Sequence, residues 1–199
     1  VRALLIERGF NAERIEAVVH MGAISSTTEP DADLILRTNF TLSRDLWDWC
    51  AIRNVRLIYA SSAATYGDGT HGMDDTNEDL HRLRPLNMYG YSKHLFDLHA
   101  KRHGWLDRLV GLKYFNIFGP NEDHKGDMRS VVHKAYAQIQ KTGSVQLFKS
   151  HHPDFRDGEQ QRDFLYVKDA VNATIHLATD EVWRAAGEYL QVYRSVLPT

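Results

Sequence analysis

The chain has 199 residues, of which 43% are hydrophobic and 25% charged, and its formal net charge of −2 gives no reason to expect a nucleic acid or a membrane as partner. Cys50 is the only cysteine, which excludes an internal disulfide and a cysteine-based metal site and suits a reducing cytosol, so we expect a cytoplasmic protein. No apolar run approaches the roughly 20 residues of a membrane-spanning helix, and we predict no metal site.

The first half of the sequence alternates between short apolar runs and longer amphipathic stretches. The predicted elements are strands at 17–20, 55–60 and 109–115 and helices at 31–53 and 85–103. This order predicts an α/β fold, a Rossmann-like parallel sheet with right-handed crossovers and flanking helices.

The sequence begins within another predicted helix, at 2–9. In nicotinamide-binding Rossmann folds, a first strand and a Gly-rich turn hold the pyrophosphate. We identify no such Gly-rich run in this chain. We therefore expect a piece of a longer protein, without its first strands and its C-terminal end, that has little or no activity alone.

Small or polar residues follow three of the predicted strands. They are Gly22-Ala23, Ser61-Ser62 and Asn116. Ligands of parallel α/β sheets bind at the carboxyl ends of the strands. The sequence therefore predicts one binding edge that collects all three segments.

Tyr89 and Lys93 are four residues apart in a predicted helix, so they lie one turn apart on the same face. A phenol has a pKa of about 10, too high for a base at neutral pH, and a nearby ammonium lowers it. A serine hydroxyl at the end of a neighbouring strand can hold the oxygen that gains or loses the proton. The set predicts proton transfer at an alcohol or ketone, chemistry that accompanies hydride transfer to a nicotinamide.

The second half of the sequence is more polar. After Pro120 we predict a helix over 128–142 that ends at Gly143, and a short strand at 145–148. A strand is then predicted within 162–169, with Asp169 capping a helix that runs to Thr179.

Several of these segments together resemble the extended short-chain dehydrogenase/reductases, the nucleotide-sugar epimerases and dehydratases. Dehydratases place an acidic pair after the catalytic hydroxyl, whereas Ser62 is followed by Ala63-Ala64-Thr65, which favours redox chemistry or epimerisation. Within the family the chain is similar to the ADP-L-glycero-D-manno-heptose 6-epimerases. That similarity is carried by Gly22-Ala-Ile-Ser-Ser-Thr-Thr-Glu29, Ala60-Ser-Ser-Ala-Ala-Thr-Tyr-Gly67, Asn87-Met-Tyr-Gly-Tyr-Ser-Lys93, Asn116-Ile-Phe-Gly-Pro120, His124-Lys-Gly-Asp-Met128 and Arg162-Asp-Phe-Leu-Tyr166.

The resemblance implies inversion at C6 of the heptose of an ADP-sugar for lipopolysaccharide core biosynthesis, with tightly held NADP, and it implies a homo-oligomer. It also implies a partial NAD(P)-binding Rossmann domain at 1–119 and an incomplete substrate-binding domain at 120–199, of which 162–179 returns to the sheet. The missing ribose-reading strand end leaves NAD open as the alternative to NADP.

Residue roles follow from the resemblance position by position. The implied catalytic residues are Tyr89, Lys125, Ser62 and Lys93, with Lys125 as the second acid/base. The implied cofactor-binding residues are Met21, Gly22, Ala23, Ile24, Ser25, Asn39, Tyr89, Lys93, Ile117 and Lys125. The implied substrate-binding residues are Ser61, Ser62, Asn116, Asp127, Lys134, Phe148 and Arg162.

The chain departs from the family pattern at Asp127, Lys134 and Lys149, and in the segment from Gly187 onward. These departures concern the identity of the substrate rather than the type of reaction. Two alternatives therefore stay open. One is another nucleotide-sugar epimerase of the UDP-hexose 4-epimerase type, and the other is a non-catalytic scaffold remnant.

Overall fold

The computed structural model describes residues 15–74, 79–106, 108–151 and 153–179. The helix predicted at 2–9 and the segment from Gly187 lie outside the described residues. The chain divides into two compact units. The first holds the residues up to Tyr114 together with those from Asn172, and the second is Phe115–Val171.

The first unit is built on a three-stranded parallel sheet. Its strands are β1 (Ala17–His20), β2 (Arg56–Ser62) and β3 (Leu109–Tyr114), in the order β1-β2-β3. Val19 pairs with Ile58, and Ser61 pairs with Lys113. β2 is thus the central strand and runs two residues further than predicted.

Helices connect these strands, as the alternating pattern predicts. Between β1 and β2 lie α1 (Ala32–Ile35), a π-helical turn (Leu36–Thr41) and α2 (Leu42–Arg53), and between β2 and β3 lie 3₁₀ turns at Ala63–Tyr66 and Leu80–Arg82 and the helix α3 (Met88–Arg102). The predicted α/β class, a parallel sheet flanked by helices, is confirmed.

Polar side chains cap the helix starts of the first unit. The Asp31 carboxylate accepts from the Leu34 N–H, and the Asn87 side chain accepts from the Gly90 N–H. Each bond satisfies one of the free donors at a helix N-terminus. The Asn87 cap fixes the start of α3 two residues before Tyr89.

The central strand presents different chemistry to its two faces because side chains alternate along a strand. On one face Ile58 packs with Val110, Leu112 and Leu177 into an apolar cluster. Ser61 lies on the opposite face with Tyr59, whose hydroxyl bonds Asp97 of α3. α3 therefore covers a polar face of the sheet.

The second unit contains β4 (Asn116–Phe118) paired in parallel with β5 (Phe164–Tyr166). A 3₁₀ segment (Asp123–Met128) and α4 (Val131–Thr142) follow β4, and α5 (Val167–Thr179) follows β5 directly. The boundary between the two units falls within α5.

Three predictions for this half of the chain need correction. Residues 145–148 form no strand, because no described segment pairs with them. Asp169 is not a helix cap, since α5 begins at Val167 and places Asp169 in its first turn. The helix predicted from residue 128 begins at Val131, where the Ser130 side chain caps it by accepting from the His133 N–H.

The described residues contain neither a membrane-spanning helix nor a cluster of metal-binding side chains. Among the helices of the described residues, none combines the length and the apolar composition of a membrane span. Within the same ranges, no three metal-binding side chains gather into a group. The His99–His103 pair, one helical turn apart in α3, instead stacks with Trp105, whose ring centroid lies 5.2 Å from that of His103.

Candidate active site

The end of β2 and the start of α3 bring Ser62 and Tyr89 together. Ser62 is the last residue of β2, and its hydroxyl oxygen accepts from the Ala64 N–H at 3.1 Å. Tyr89 lies in the first turn of α3, with its phenol near enough to the Ser62 hydroxyl for Ser62 to lower the pKa of that phenol. Because the Ser62 oxygen accepts from a peptide N–H, its own proton is available for the phenol or for a ligand oxygen.

The environment of Tyr89 raises the pKa of its phenol. Burial is the main cause, and the hydrogen bond with Ser62 opposes it. A lowering of this pKa by Lys93 was predicted, but Lys93 is not among the causes of the shift. Its ammonium donates to the Ala60 carbonyl oxygen at 2.6 Å.

Lys93 lies one turn after Tyr89 and is almost fully buried, with 3% of its surface exposed. Burial lowers the pKa of Lys93 to about 8, and the nearby Asp97 carboxylate opposes this shift. The side chain therefore stays mostly protonated at neutral pH. An ammonium has three donors, so its bond to Ala60 leaves it able to bond a ligand hydroxyl as well.

Asn39 connects the loop after β1 to the catalytic helix. Its side-chain oxygen accepts from the Ile24 N–H at 2.9 Å, and its amide donates to the Ile24 carbonyl and to the Ser92 hydroxyl. Ser92 in turn donates to the Tyr89 carbonyl at 2.7 Å. Asn39 sits in the π-helical turn, and such turns occur often at functional sites. The loop and Tyr89 are thus tied through two side chains.

His20, at the end of β1, was not singled out by the sequence analysis. Its Nε2 lies 3.0 Å from the Ser43 hydroxyl, which donates to the Asn39 carbonyl, so the imidazole must donate to Ser43. Burial, with help from the Lys93 charge, lowers the pKa of His20 to about 4. The imidazole is neutral at physiological pH and supports the turn that carries Asn39.

Ser61 occupies a different position from the one predicted. It was expected to touch the substrate, but only 2% of it is exposed. Its hydroxyl lies 3.1 and 3.0 Å from the two oxygens of Asp97, and Asp97 is paired with Lys113 at 2.8 Å. Ser61 thus bonds Asp97 in the middle of α3, whereas Ser62, at the end of β2, lies beside Tyr89 in the first turn of the same helix. Ser61 therefore belongs to a buried supporting network.

Asp97 and Lys113 are members of this network that the sequence analysis missed. The available signals were a lysine inside the apolar strand β3 and an aspartate one turn after Lys93 in α3. Neither signal identifies the partner. The pairing depends on the register that sets Ser61 beside Lys113.

The second unit holds Lys125 in a local arrangement of its own. Lys125 lies in the 3₁₀ segment, its side chain is 38% exposed, and its ammonium is 3.5 Å from Glu122. Glu122 is buried and accepts from the N–H groups of Gly119 and Ser130 and from the Ser130 hydroxyl. Burial favours the neutral acid, yet these bonds and the Lys125 charge lower the pKa of Glu122 to about 2.

The other predicted residues of the second unit are dispersed. Asn116 begins β4 and donates to the Asp163 carbonyl at 2.9 Å, so it belongs to the two-stranded sheet and not to the one that holds Ser62. Lys134 donates to the Asp127 carbonyl at 2.5 Å, and Arg162 donates to the Gln161 carbonyl at 2.7 Å. Ile117 is the middle residue of β4, and Phe148 is 63% exposed.

Replacing Glu122 by Gln is expected to loosen the loop from Gly119 to Ser130. One carboxylate oxygen becomes an amide donor that faces other donors, which should reduce hydrogen-exchange protection of the Gly119 and Ser130 amides about 10- to 100-fold at neutral pH. The stabilisation by Glu122 is present above its unfolded pKa of 4.5 and is lost as the pH falls through about 2, so the two proteins should converge there. Glu159→Gln, at an exposed carboxylate, is the control, and equal protection in all three at neutral pH would contradict this role.

The run Gly67-Asp-Gly-Thr-His-Gly72 has the spacing of a phosphate-binding motif, which the sequence analysis did not consider. The structure gives positive φ angles to all three glycines. A Cβ at Gly67 would lie 1.9 Å from the Arg84 carbonyl oxygen, so glycine is required there for close packing. The Asp68 carboxylate already accepts from the Thr70 N–H and hydroxyl. The Asp68 carboxylate thus already occupies these two donors of the turn, and its negative charge disfavours a phosphate there.

Most of the chain matches one family model. The model for the NAD dependent epimerase/dehydratase family matches residues 3–190. The chain belongs to this family.

Individual members of the NAD dependent epimerase/dehydratase family give a closer comparison. ADP-L-glycero-D-manno-heptose-6-epimerase of Nitratidesulfovibrio vulgaris is 59% identical over 157 residues, which cover 79% of this chain and 49% of that protein. The protein of the same name from Fusobacterium nucleatum is 50% identical over 175 residues, 86% of this chain and 53% of that one. The crystal structure of the Helicobacter pylori ADP-L-glycero-D-manno-heptose-6-epimerase matches with a TM-score of 0.70 and 30% identity over 83% of this chain and 50% of that chain. The chain spans about half the length of the curated relatives it matches.

The family description supports a nicotinamide as the cofactor class. The described residues fit such a dinucleotide in the loop after β1 and at Lys93. The loop after β1 is partly open, with Met21 43% exposed, and Asn39 fixes its backbone at Ile24. The Lys93 ammonium donates to the carbonyl of Ala60, near the carboxyl end of the neighbouring strand β2.

Proposed function

We propose that this chain acts, within an enzyme of the length of its relatives, as an ADP-L-glycero-D-manno-heptose 6-epimerase. The proposed reaction converts ADP-D-glycero-D-manno-heptose by transient oxidation and reduction at C6, with bound NADP. The observation that carries the proposal is the placement of Ser62 at the end of β2 beside Tyr89 in the first turn of α3, with Lys93 one turn further along the helix. The 59% identity to the N. vulgaris protein supports the choice of substrate.

The chain's own residues account for proton movement at the reacting oxygen. Tyr89 takes the hydroxyl proton when the alcohol becomes a ketone, and Ser62 donates to that oxygen. Lys93, protonated below its pKa of about 8, stabilises the phenolate form of Tyr89 that accepts this proton, and the step leaves Tyr89 as the neutral phenol. The nicotinamide, when bound, supplies the hydride acceptor and donor.

Inversion needs a second proton donor. The hydride returns from a fixed position, so the ketone must present its other face, and its oxygen then meets a different group. We assign this role to Lys125. Its side chain is 38% exposed, and the buried Glu122 carboxylate bonds the backbone of the same segment at Ser130. Positioned acid–base groups contribute about 10²–10⁴-fold to a rate.

Further roles follow the family resemblance. The first unit is assigned to the cofactor and the second to the sugar nucleotide. Arg162 suits the diphosphate, because a guanidinium can bond two oxygens at once. The proposed cofactor contacts are Met21, Gly22, Ala23, Ile24, Ser25, Asn39, Tyr89, Lys93, Ile117 and Lys125, and the proposed substrate contacts are Ser62, Asn116, Asp127, Lys134, Phe148 and Arg162.

The enzyme is proposed to act in the cytoplasm, as a homo-oligomer, in lipopolysaccharide core biosynthesis. Gel filtration with light scattering measures the assembly. The NADP assignment is separable from the reaction. Cofactor released from the purified enzyme and identified by chromatography should be NADP, and NAD in its place would overturn only that assignment.

The proposed reaction is tested with the enzyme at the length of its relatives. Incubation with ADP-D-glycero-D-manno-heptose in D₂O should give the L-glycero epimer, seen by NMR, without deuterium at C6, because the hydride returns from the cofactor. Deuterium at C6 would contradict the transient oxidation. Turnover of UDP-glucose to UDP-galactose, with none of the ADP-heptose, would favour a UDP-hexose 4-epimerase instead. A folded protein that converts neither the ADP-heptose nor UDP-glucose would favour the non-catalytic scaffold.

Lys125→Met is expected to spare cofactor binding and to reduce turnover from one epimer more than from the other. The reason is that Lys125 serves the oxygen in only one of the two orientations of the ketone. Initial rates measured separately from each epimer provide the test, with Lys141→Met, at an exposed lysine near the end of α4, as the control. Small and equal losses in both directions would contradict the assignment.

A further inference from the structure

A buried ion pair lies beneath the turn that carries Ser62. Lys113 and Asp97 are 3% and 0% exposed, and the ammonium lies 2.8 Å from the carboxylate. Both residues belong to the first unit, Lys113 on β3 and Asp97 on α3. None of the proposed catalytic steps uses this pair.

The pair determines which way the nearby hydroxyl of Thr65 points. The Lys113 ammonium lies 2.7 Å from the Thr65 hydroxyl oxygen, and an ammonium can only donate. The oxygen of Thr65 must therefore accept from Lys113. Its single proton goes to the Ser62 carbonyl oxygen, 2.8 Å away. Thr65 is fully buried, so no substrate or cofactor can reach it.

Asp97 holds the other side of this arrangement. A carboxylate is an acceptor only, and Asp97 receives bonds from Lys113, from Ser61 and from the Tyr59 hydroxyl. Ser61 and Lys113 are neighbours across the two strands. The Asp97 carboxylate thus holds the Lys113 ammonium in place at the strand position of Ser61, the residue directly before Ser62.

Ser62 is then fixed at both of its polar ends. Its carbonyl accepts from Thr65, and its hydroxyl oxygen accepts from the Ala64 N–H. The Ser62 hydroxyl proton is not used by either of these bonds. It is available to the phenol of Tyr89. Buried ion pairs are a weak source of stability compared with apolar packing, and one attested use is to specify a single arrangement.

We propose that Thr65 is a positioning residue, whose hydroxyl, oriented by the Lys113–Asp97 pair, holds the Ser62 carbonyl and so aims the Ser62 hydroxyl at Tyr89 and the reacting oxygen. This role rests on the proposed function, because it acts through Ser62 and Tyr89. The positioning role involves Thr65, Asp97 and Lys113, three buried residues that are not among the proposed substrate or cofactor contacts.

The test compares Thr65→Val with Thr65→Ser in the enzyme at the length of its relatives. Valine keeps the shape and removes the hydroxyl, whereas serine keeps the hydroxyl. A misplacement of about 1 Å can cost about 100-fold, so kcat should fall about 10- to 100-fold in Thr65→Val with KM nearly unchanged. Thr65→Ser should restore kcat to within about threefold of the wild type.

A second readout does not depend on activity. NMR titration of ¹³C-labelled tyrosine, assigned with Tyr89→Phe, reports the phenol pKa directly. The Ser62 bond lowers that pKa, so it should rise in Thr65→Val and return in Thr65→Ser. The charged groups on the adjoining elements, Lys93, Asp97 and Lys113, and the titratable but neutral His20, are the same in all variants. If Thr65→Val does not fold, Thr65→Ala is measured in the same two assays.

The outcomes separate the two hypotheses. A wild-type enzyme inactive on the ADP-heptose, with the expected change in the phenol pKa, would overturn the proposed function and leave the positioning role standing. An unchanged phenol pKa and kcat in the valine or alanine variant would overturn the positioning role. Equal losses in the serine and valine variants would also overturn it, because they would assign the effect to packing.

Discussion

Replacing Tyr89 by Phe is expected to reduce kcat by about 10²–10⁴-fold, which is the usual contribution of a positioned acid–base group. The ring remains in the same place, so the loss comes from the missing hydroxyl that bonds Ser62. Steady-state rates in both directions of epimerisation measure the effect. Circular dichroism and the amount of bound nicotinamide should not change.

Tyr91→Phe is the matched control for this experiment. Tyr91 lies in the same helix but is 48% exposed, so its hydroxyl is expected to contribute nothing to the rate. Equal rates for Tyr89→Phe and Tyr91→Phe would mean that the phenol of Tyr89 moves no proton in the reaction. In that case the proposed mechanism, with Tyr89 as acid and base, would have to be abandoned.

Replacing Lys113 by Met is expected to destabilise the first unit by about 3–5 kcal/mol. The substitution leaves the fully buried Asp97 carboxylate without its cation, and an unpaired buried charge is costly. The double variant Lys113→Met/Asp97→Asn should recover much of the loss, because it removes both charges together. Chemical denaturation followed by tryptophan fluorescence gives the free energies of unfolding.

Arg82→Met is the control for the stability measurement. Arg82 pairs with Asp79 at 3.4 Å on the surface, and an exposed pair contributes at most about 1 kcal/mol. If Lys113→Met cost no more than Arg82→Met, the pair in the interior would have little effect on stability. A double variant no more stable than Lys113→Met would show that the remaining carboxylate charge is not the cause of the loss.

Much of the first unit could be predicted from local sequence patterns. The apolar runs and their spacing gave the three strands and the helix from residue 31 to Arg53, and the Tyr89–Lys93 spacing gave a common helix face. These signals are local, because they depend on periodicities of two and 3.6 residues. The family comparison then confirms membership of the epimerase/dehydratase family, to which the motifs pointed.

The errors concern properties that depend on distant partners. Residues 145–148 have the composition of a strand, but strand formation requires pairing, and nothing described pairs with them. The orientation of Ser61 follows from how β2 is covered by α3. The pKa of Tyr89 depends on burial and on where the Lys93 ammonium points, and spacing along a helix determines neither.

The two hydrogen bonds between the Asn39 side chain and the Ile24 backbone limit the main-chain donors that the loop after β1 can offer to a dinucleotide. A peptide N–H has a single proton, and that of Ile24 is already committed to the Asn39 side chain. An incoming phosphate or ribose must therefore take its main-chain donors from other residues of the loop. Ile24 itself can offer only its hydrocarbon side chain and a second lone pair on its carbonyl.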